Sequence, residues 1–131
     1  AGKTGRGIHV EFRDAADTER PGYLRMNLSG TARFYHVSED VLIDTDAIAR
    51  AEIDTVGRAE PAVVLIMNET GREALAEMMR ARVGKRMGVV VDGLLVSAPL
   101  VMAEIDQGRA VIEGHLSMEE AQRIVDRLNA R

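Results

Sequence analysis

Met87-Gly88-Val89-Val90-Val91-Asp92-Gly93-Leu94-Leu95-Val96-Ser97-Ala98-Pro99 is the stretch on which the fold turns. Met87 to Val91 reads as a strand, and Asp92-Gly93 after it is a strong signal for a tight hairpin, because both residues tolerate positive φ. Leu94 to Ile105 is therefore expected to return antiparallel. Pro99 has no N–H to give to a ladder, so the returning strand must lie at an edge or bend there.

Upstream of this hairpin, Thr70-Gly71-Arg72-Glu73 has the spacing of a capping box, in which hydroxyl and carboxylate each satisfy a backbone amide at a helix start. Leu75, Met78, Met79 and Val83 follow at intervals of three and four, which makes one apolar stripe facing a core, and Gly84 is placed to end the helix. Ala51 to Val56 and Ala62 to Met67 flank a break at Gly57 and read as two strands of a hairpin. The second is continuously apolar, as suits a central strand. Asp44 or Thr45 can cap a short helical turn through Ala47 and Ile48.

Downstream, Gln107-Gly108 turns the chain into a strand over Ala110 to Ile112. Ser117-Met118-Glu119-Glu120 is a second capping box, and Ala121, Ile124, Val125 and Leu128 form the buried face of the helix it opens. Toward the N-terminus, Ile8, Val10 and Phe12 alternate with His9, Glu11 and Arg13, the period of a half-buried strand. Asp14 to Gly22 reads as a loop, Tyr23 to Leu28 as a second strand, and Phe34, Tyr35 and Val37 as a third. Residues 1–7 hold three glycines without apolar periodicity and are expected to be a disordered lead-in. The fold class is α+β: a mainly antiparallel sheet with two principal helices packed on one face, in a single domain over residues 8–131.

Composition narrows the function. The 131 residues are 46% hydrophobic and 29% charged, a globular balance, and no apolar run reaches the roughly 18 residues that span a bilayer. The chain starts at Ala1 without a secretory-type apolar stretch, so its natural start is expected to have been removed. The absence of cysteine excludes disulfides, thiolate metal sites and a cysteine nucleophile. A net charge of −4 with only Phe12, Tyr23, Phe34 and Tyr35 as aromatics argues against nucleic acid, which calls for a basic patch and stacking platforms.

Two ordered stretches carry a resemblance. Val83-Gly84-Lys85-Arg86, running into the hairpin that closes at Asp92-Gly93 before Ser97-Ala98-Pro99, resembles the signature of the periplasmic head of SecD, a protein-export subunit. Ile112-Glu113-Gly114-His115-Leu116-Ser117-Met118-Glu119-Glu120-Ala121 resembles its second signature, and Tyr35 through Ile48 matches more loosely. The resemblance begins at about residue 34. Ala1 to Gly30 has no counterpart and is expected to be an added hairpin, which favours a stand-alone exported protein over a piece of a multispanning SecD.

The resemblance implies an extracytoplasmic, non-enzymatic, protein-binding domain at the outer face of the bacterial inner membrane, in contact with translocating or unfolded polypeptide. Energy coupling is not implied, because this sequence contains no membrane helices. The alternative is an exported accessory or lipoprotein-type domain that docks on a folded envelope protein. Strand addition at a sheet edge near Pro99 is the expected mode of contact.

The remaining motifs read as structural. Gly2-Lys3-Thr4 lacks the upstream glycine and strand of a phosphate loop. His9, His36 and His115 are too far apart to share a helix face around a metal. Glu39, Asp40, Asp44 and Asp46 lack the glycine and terminal glutamate of a calcium loop. Ser97 is outside any strained nucleophile turn. No catalytic, cofactor or metal residue is assigned. Met67, Met78 and Met79 belong to the expected core, whereas Met26, Met102 and Met118 have no evident place in it.

Overall fold

In the computed structural model, which describes residues 7–102, 108–114 and 116–131, strands β6 (Arg86–Val91) and β7 (Leu94–Ser97) form the expected antiparallel hairpin. Asp92 and Gly93 between them sit at φ 49° and 85°, the positive-φ pair that such a two-residue turn requires. Around this hairpin the chain runs β1 (Val10–Ala16), β2 (Tyr23–Asn27), β3 (Phe34–Ser38), a 3₁₀ turn (Thr45–Ala47), β4 (Ile48–Asp54), β5 (Ala62–Met67), α1 (Glu69–Ala81), β6, β7, β8 (Arg109–Ile112) and α2 (Met118–Asn129).

The strands divide into two sheets, where a single one was expected: a five-stranded sheet in the order β2-β3-β1-β6-β7 and a three-stranded one in the order β4-β5-β8. All strand pairs within them are antiparallel, and the class is α+β. Near Pro99 the larger sheet becomes irregular. The β6–β7 register shifts between Val89 and Val90, and beyond Ser97 the chain leaves the regular ladder. It is still held to β6 by Met87 N–H on Pro99 O (2.9 Å) and to the residue before β6 by Val101 N–H on Lys85 O (2.8 Å). The regular part of the return strand thus ends at Ser97, and Ile105 falls outside the described residues. β8 then pairs with β5 instead of β7.

β1 overturns the reading of the N-terminus as an added hairpin. It pairs with β3 and β6 and not with β2, and so occupies the middle of the larger sheet. Val10 and Phe12, both fully buried, lie opposite Val91 and Val89 and join the main core. The strand also extends three residues past Arg13, through the stretch expected to loop. Ala15 and Ala16 are small enough to bury, and Asp14 is neutralised by Arg82. Beyond the end of β2 the sheet curls until Leu28 bridges Leu95 of β7, with Ser29 N–H donating to Leu95 O at 2.8 Å. Tyr35, Val37, Val90, Leu95 and Ala98 fill the inside of that curl as a small second core.

Both helices pack beside the three-stranded sheet, α2 along β4 and β5, α1 along β5 and the 3₁₀ turn. Ser117 and Glu120 form the expected capping box of α2, and Ala121, Ile124, Val125 and Leu128 are its buried face. α1 departs from expectation at both ends. Its cap is Asn68, whose Oδ1 accepts Gly71 N–H at 2.8 Å, so the helix starts one residue before Thr70. Asn68 takes the role because its own amide also donates to Ala47 O (2.9 Å) and its Nδ2 to Asp46 O (2.7 Å), tying helix to 3₁₀ turn. The helix stops at Ala81, so Val83 is exposed and not part of the stripe, while Leu75 and Met78 are buried. Gly84 follows at φ 86°.

Candidate functional site

Two sheets that do not close on themselves have four edges, and two of them, β4 and β7, are partly covered among the described residues. β4 is covered by the end of α2: Asn129 accepts Ala51 N–H through Oδ1 (2.8 Å) and donates to Ala51 O through Nδ2 (2.9 Å). Arg131 adds bonds to Thr45 O and Ile48 O. The β7 edge is occupied at Leu95 by Ser29, and the curl that brings Leu28 and Ser29 there turns β2 toward β7. β8, by contrast, pairs only with β5 among the described residues. The expected place for strand addition, Leu94 onward, is thus already taken in part. Among the described residues the β8 edge is open.

Beside β8 lies an apolar groove of about 510 Å³, between the sheets and over one flank of the core. Its floor includes Leu75, Met79, Met87 and Val89, and its rim is formed by Leu100 and Met102 on one side and Val111 on the other. Met102 is 75% exposed, Leu100 43% and Val111 40%, a concentration of wet apolar surface that packing alone does not produce. The groove lies between β8 and residues 99–102, which stay bonded to residues 84–87 in an irregular continuation of the β7 ladder. Met102, left without a place by sequence reasoning, belongs here. The seven-methionine composition hinted at it, since thioethers adapt to varied partners.

Among the described residues, Asp54 and Arg109 are the charged ones lining the groove, one of each sign. The Val56 amide, and then Arg58, hold the Asp54 carboxyl below its ordinary range. Arg58 bridges Asp54 (3.2 Å) and Glu113, and these two carboxylates, Glu113 foremost, raise its affinity for the proton. Farther out Arg50 pairs with Glu52 and lowers that carboxyl in turn. Asp54, Arg58 and Glu113 are thus joined in one ion-pair network at the border, with Arg50–Glu52 as a second pair. Such a groove can bind apolar side chains.

The other residues weighed in the sequence are dispersed. His9 is exposed, its backbone joined to Asp92 by paired bonds of 2.9 and 2.8 Å. His36 is half-buried on β3 with Nδ1 unpartnered, and His115 lies outside the described residues. Asp44 caps the 3₁₀ turn by accepting Asp46 N–H at 3.0 Å. Ser97 is buried in β7. Among the described residues no three acidic or imidazole side chains gather as a metal site, and no helix is long and apolar enough to cross a membrane.

Comparison with known proteins places this architecture. The family described as the SecDF P1 head subdomain matches residues 22–130, twelve residues further upstream than the sequence signatures reach. The protein translocase subunit SecDF of Thermus thermophilus is 42% identical over 78 residues, 60% of this chain and 10% of that protein. SecD of Rhodothermus marinus is 35% identical over 108 residues, 82% of this chain and 16% of that protein. A crystal structure of SecDF in its super-membrane-facing form superposes with a TM-score of 0.76 at 25% identity, covering 95% of this chain and 19% of that one. A second SecDF structure, described as a membrane component that enhances protein export, gives 0.75 at 24%, covering 96% of this chain and 64% of that one. This coverage takes in the central strand β1, which belongs to the shared fold and is no peculiarity of stand-alone relatives. The chain, spanning a small part of the translocase subunits it matches, belongs to the SecDF P1 head subdomain family.

Proposed function

We propose that this domain is a non-enzymatic, periplasmic binding module that contacts translocating or unfolded polypeptide during protein export. The observation that carries the reading is the β8 edge, unpaired among the described residues, running beside an exposed apolar groove. An extended segment laid against Arg109–Ile112 gains main-chain hydrogen bonds from the edge. Because side chains alternate along a strand, every second residue of that segment enters the groove between Leu100, Met102 and Val111. Folded proteins bury the apolar side chains that such a groove accepts; an emerging chain presents them. The membership in a family of translocase subunits supports the setting.

Hydrogen exchange with and without a soluble unfolded polypeptide tests the mode of contact. Added protection is expected in Arg109–Ile112 and none in Leu94–Ser97. Protection in neither, together with a single folded envelope protein crosslinked through Val111, would instead favour the accessory that docks on a folded partner.

A further inference from the structure

On the far side of the bent segment from the apolar groove is a second cleft, of about 430 Å³, between the β1–β2 connection and the end of α1. Leu100 lines both. Among the described residues, the charged ones lining this cleft are Asp14, Asp17, Arg20, Arg82, Lys85 and Arg86: four cations against two carboxylates. In a chain of net charge −4 this is a local excess of two positive charges.

The excess is not spread evenly. Arg82 is paired to Asp14, and Arg86 to Asp17 at 2.7 Å. Arg86 is further fixed by a bond to Ala98 O (2.8 Å) and by the Tyr35 ring 4.8 Å from its guanidinium. These pairs consume both carboxylates. Arg20 and Lys85 are exposed, and neither side chain has a hydrogen bond or ion pair among the described residues. The cleft thus presents two unpaired cations on a frame of two neutralised ones, an arrangement complementary to a carboxylate.

We propose, resting on the polypeptide-contact reading above, that this cleft recognises acidic side chains of the bound segment, so that the domain prefers an Asp or Glu within a few residues of an apolar anchor. Among the described residues the lining of the apolar groove carries one charge of each sign, whereas that of the cleft carries two more cations than carboxylates, with Arg20 and Lys85 the unpaired ones. Leu100, common to both linings, puts the cleft within reach of a segment seated in the groove.

Two unfolded peptides, identical except for Glu or Gln beside the apolar anchor, test this by fluorescence anisotropy against the whole domain and its Arg20→Glu/Lys85→Glu variant. The Glu peptide is expected to bind the unaltered domain about three- to tenfold more tightly than the Gln peptide, the range of one or two exposed ion pairs. That preference should fade at 1 M salt and vanish in the variant, while the Gln peptide binds both proteins alike. Equal affinities for the two peptides, or a Glu preference that survives in the variant, would overturn the proposal. Failure of both peptides to bind the unaltered domain would remove the polypeptide reading and this proposal with it.

Discussion

Gly71 lies so close to Ala47 that a Cβ on it would stand 2.2 Å from the Ala47 carbonyl oxygen and 2.8 Å from the Ala47 Cβ. The contact fixes the first turn of α1 against the 3₁₀ turn that feeds β4, and through it the floor of the groove, to which Leu75 and Met79 contribute. Gly71→Ala is therefore expected to destabilise the domain by about 1–3 kcal/mol, the usual cost of overpacking where the neighbour is backbone. Urea denaturation followed by circular dichroism checks it.

Asn68 and Thr70 make a sharper test, since spacing favours one as the cap of α1 and geometry the other. Asn68→Ala should cost about 1–2 kcal/mol, because it removes the acceptor for Gly71 N–H and the donor to Asp46 O together. Thr70→Ala, at an exposed helical position, should stay within about 0.5 kcal/mol. The two midpoints measured side by side decide the matter.

These two residues show what the sequence could disclose. The Thr70–Glu73 spacing is local information, and it locates the helix to within a residue or two. The choice of Asn68 depends on Asp46 and Ala47, whose nearness is a tertiary fact. The same distinction holds for the fold. The Asp92-Gly93 hairpin, the central place of β5 and the α2 box are legible because pattern and turn chemistry agree at short range. That β1 lies between β3 and β6, or that β8 joins β5, depends on pairings far apart in sequence. The groove lies between elements that such pairings bring together, so only two of its ingredients, Pro99 and the unplaced Met102, were visible beforehand.

Glu120 gives the fold a pH dependence. Its carboxylate accepts the Ser117 amide (2.9 Å), and this hydrogen bond, with the Ser117 hydroxyl, lowers its pKa from 4.5. Because the folded-state value is depressed, the stabilisation is present above about pH 4.5 and is lost as the pH falls through the folded value. Glu120→Gln should therefore cost about 0.3–1 kcal/mol at pH 7 and progressively less on acidification. Parallel denaturation curves across pH 2–7, the range in which a carboxylate titrates, follow the difference.

Gly93 isolates a purely backbone effect. A Cβ there meets nothing within 4 Å, yet φ is +85°. Gly93→Ala should cost about 1–2 kcal/mol from strain alone. Because β6 and β7 stay intact, the exchange protection of β1, which pairs with β6, should keep its pattern.

The central claim is that the groove beside β8 holds an extended polypeptide. Met102 and Val111 stand at its rim, exposed enough that Met102→Glu and Val111→Glu should each change stability by no more than about 0.5 kcal/mol. The most direct measurement is the affinity of a fluorescent unfolded peptide with a central apolar anchor for the unaltered domain and for these two variants. Each variant is predicted to bind about tenfold or more weakly, the loss of roughly 1.4 kcal/mol of apolar contact. Unaltered affinity in both, with the domain folded, would contradict the claim.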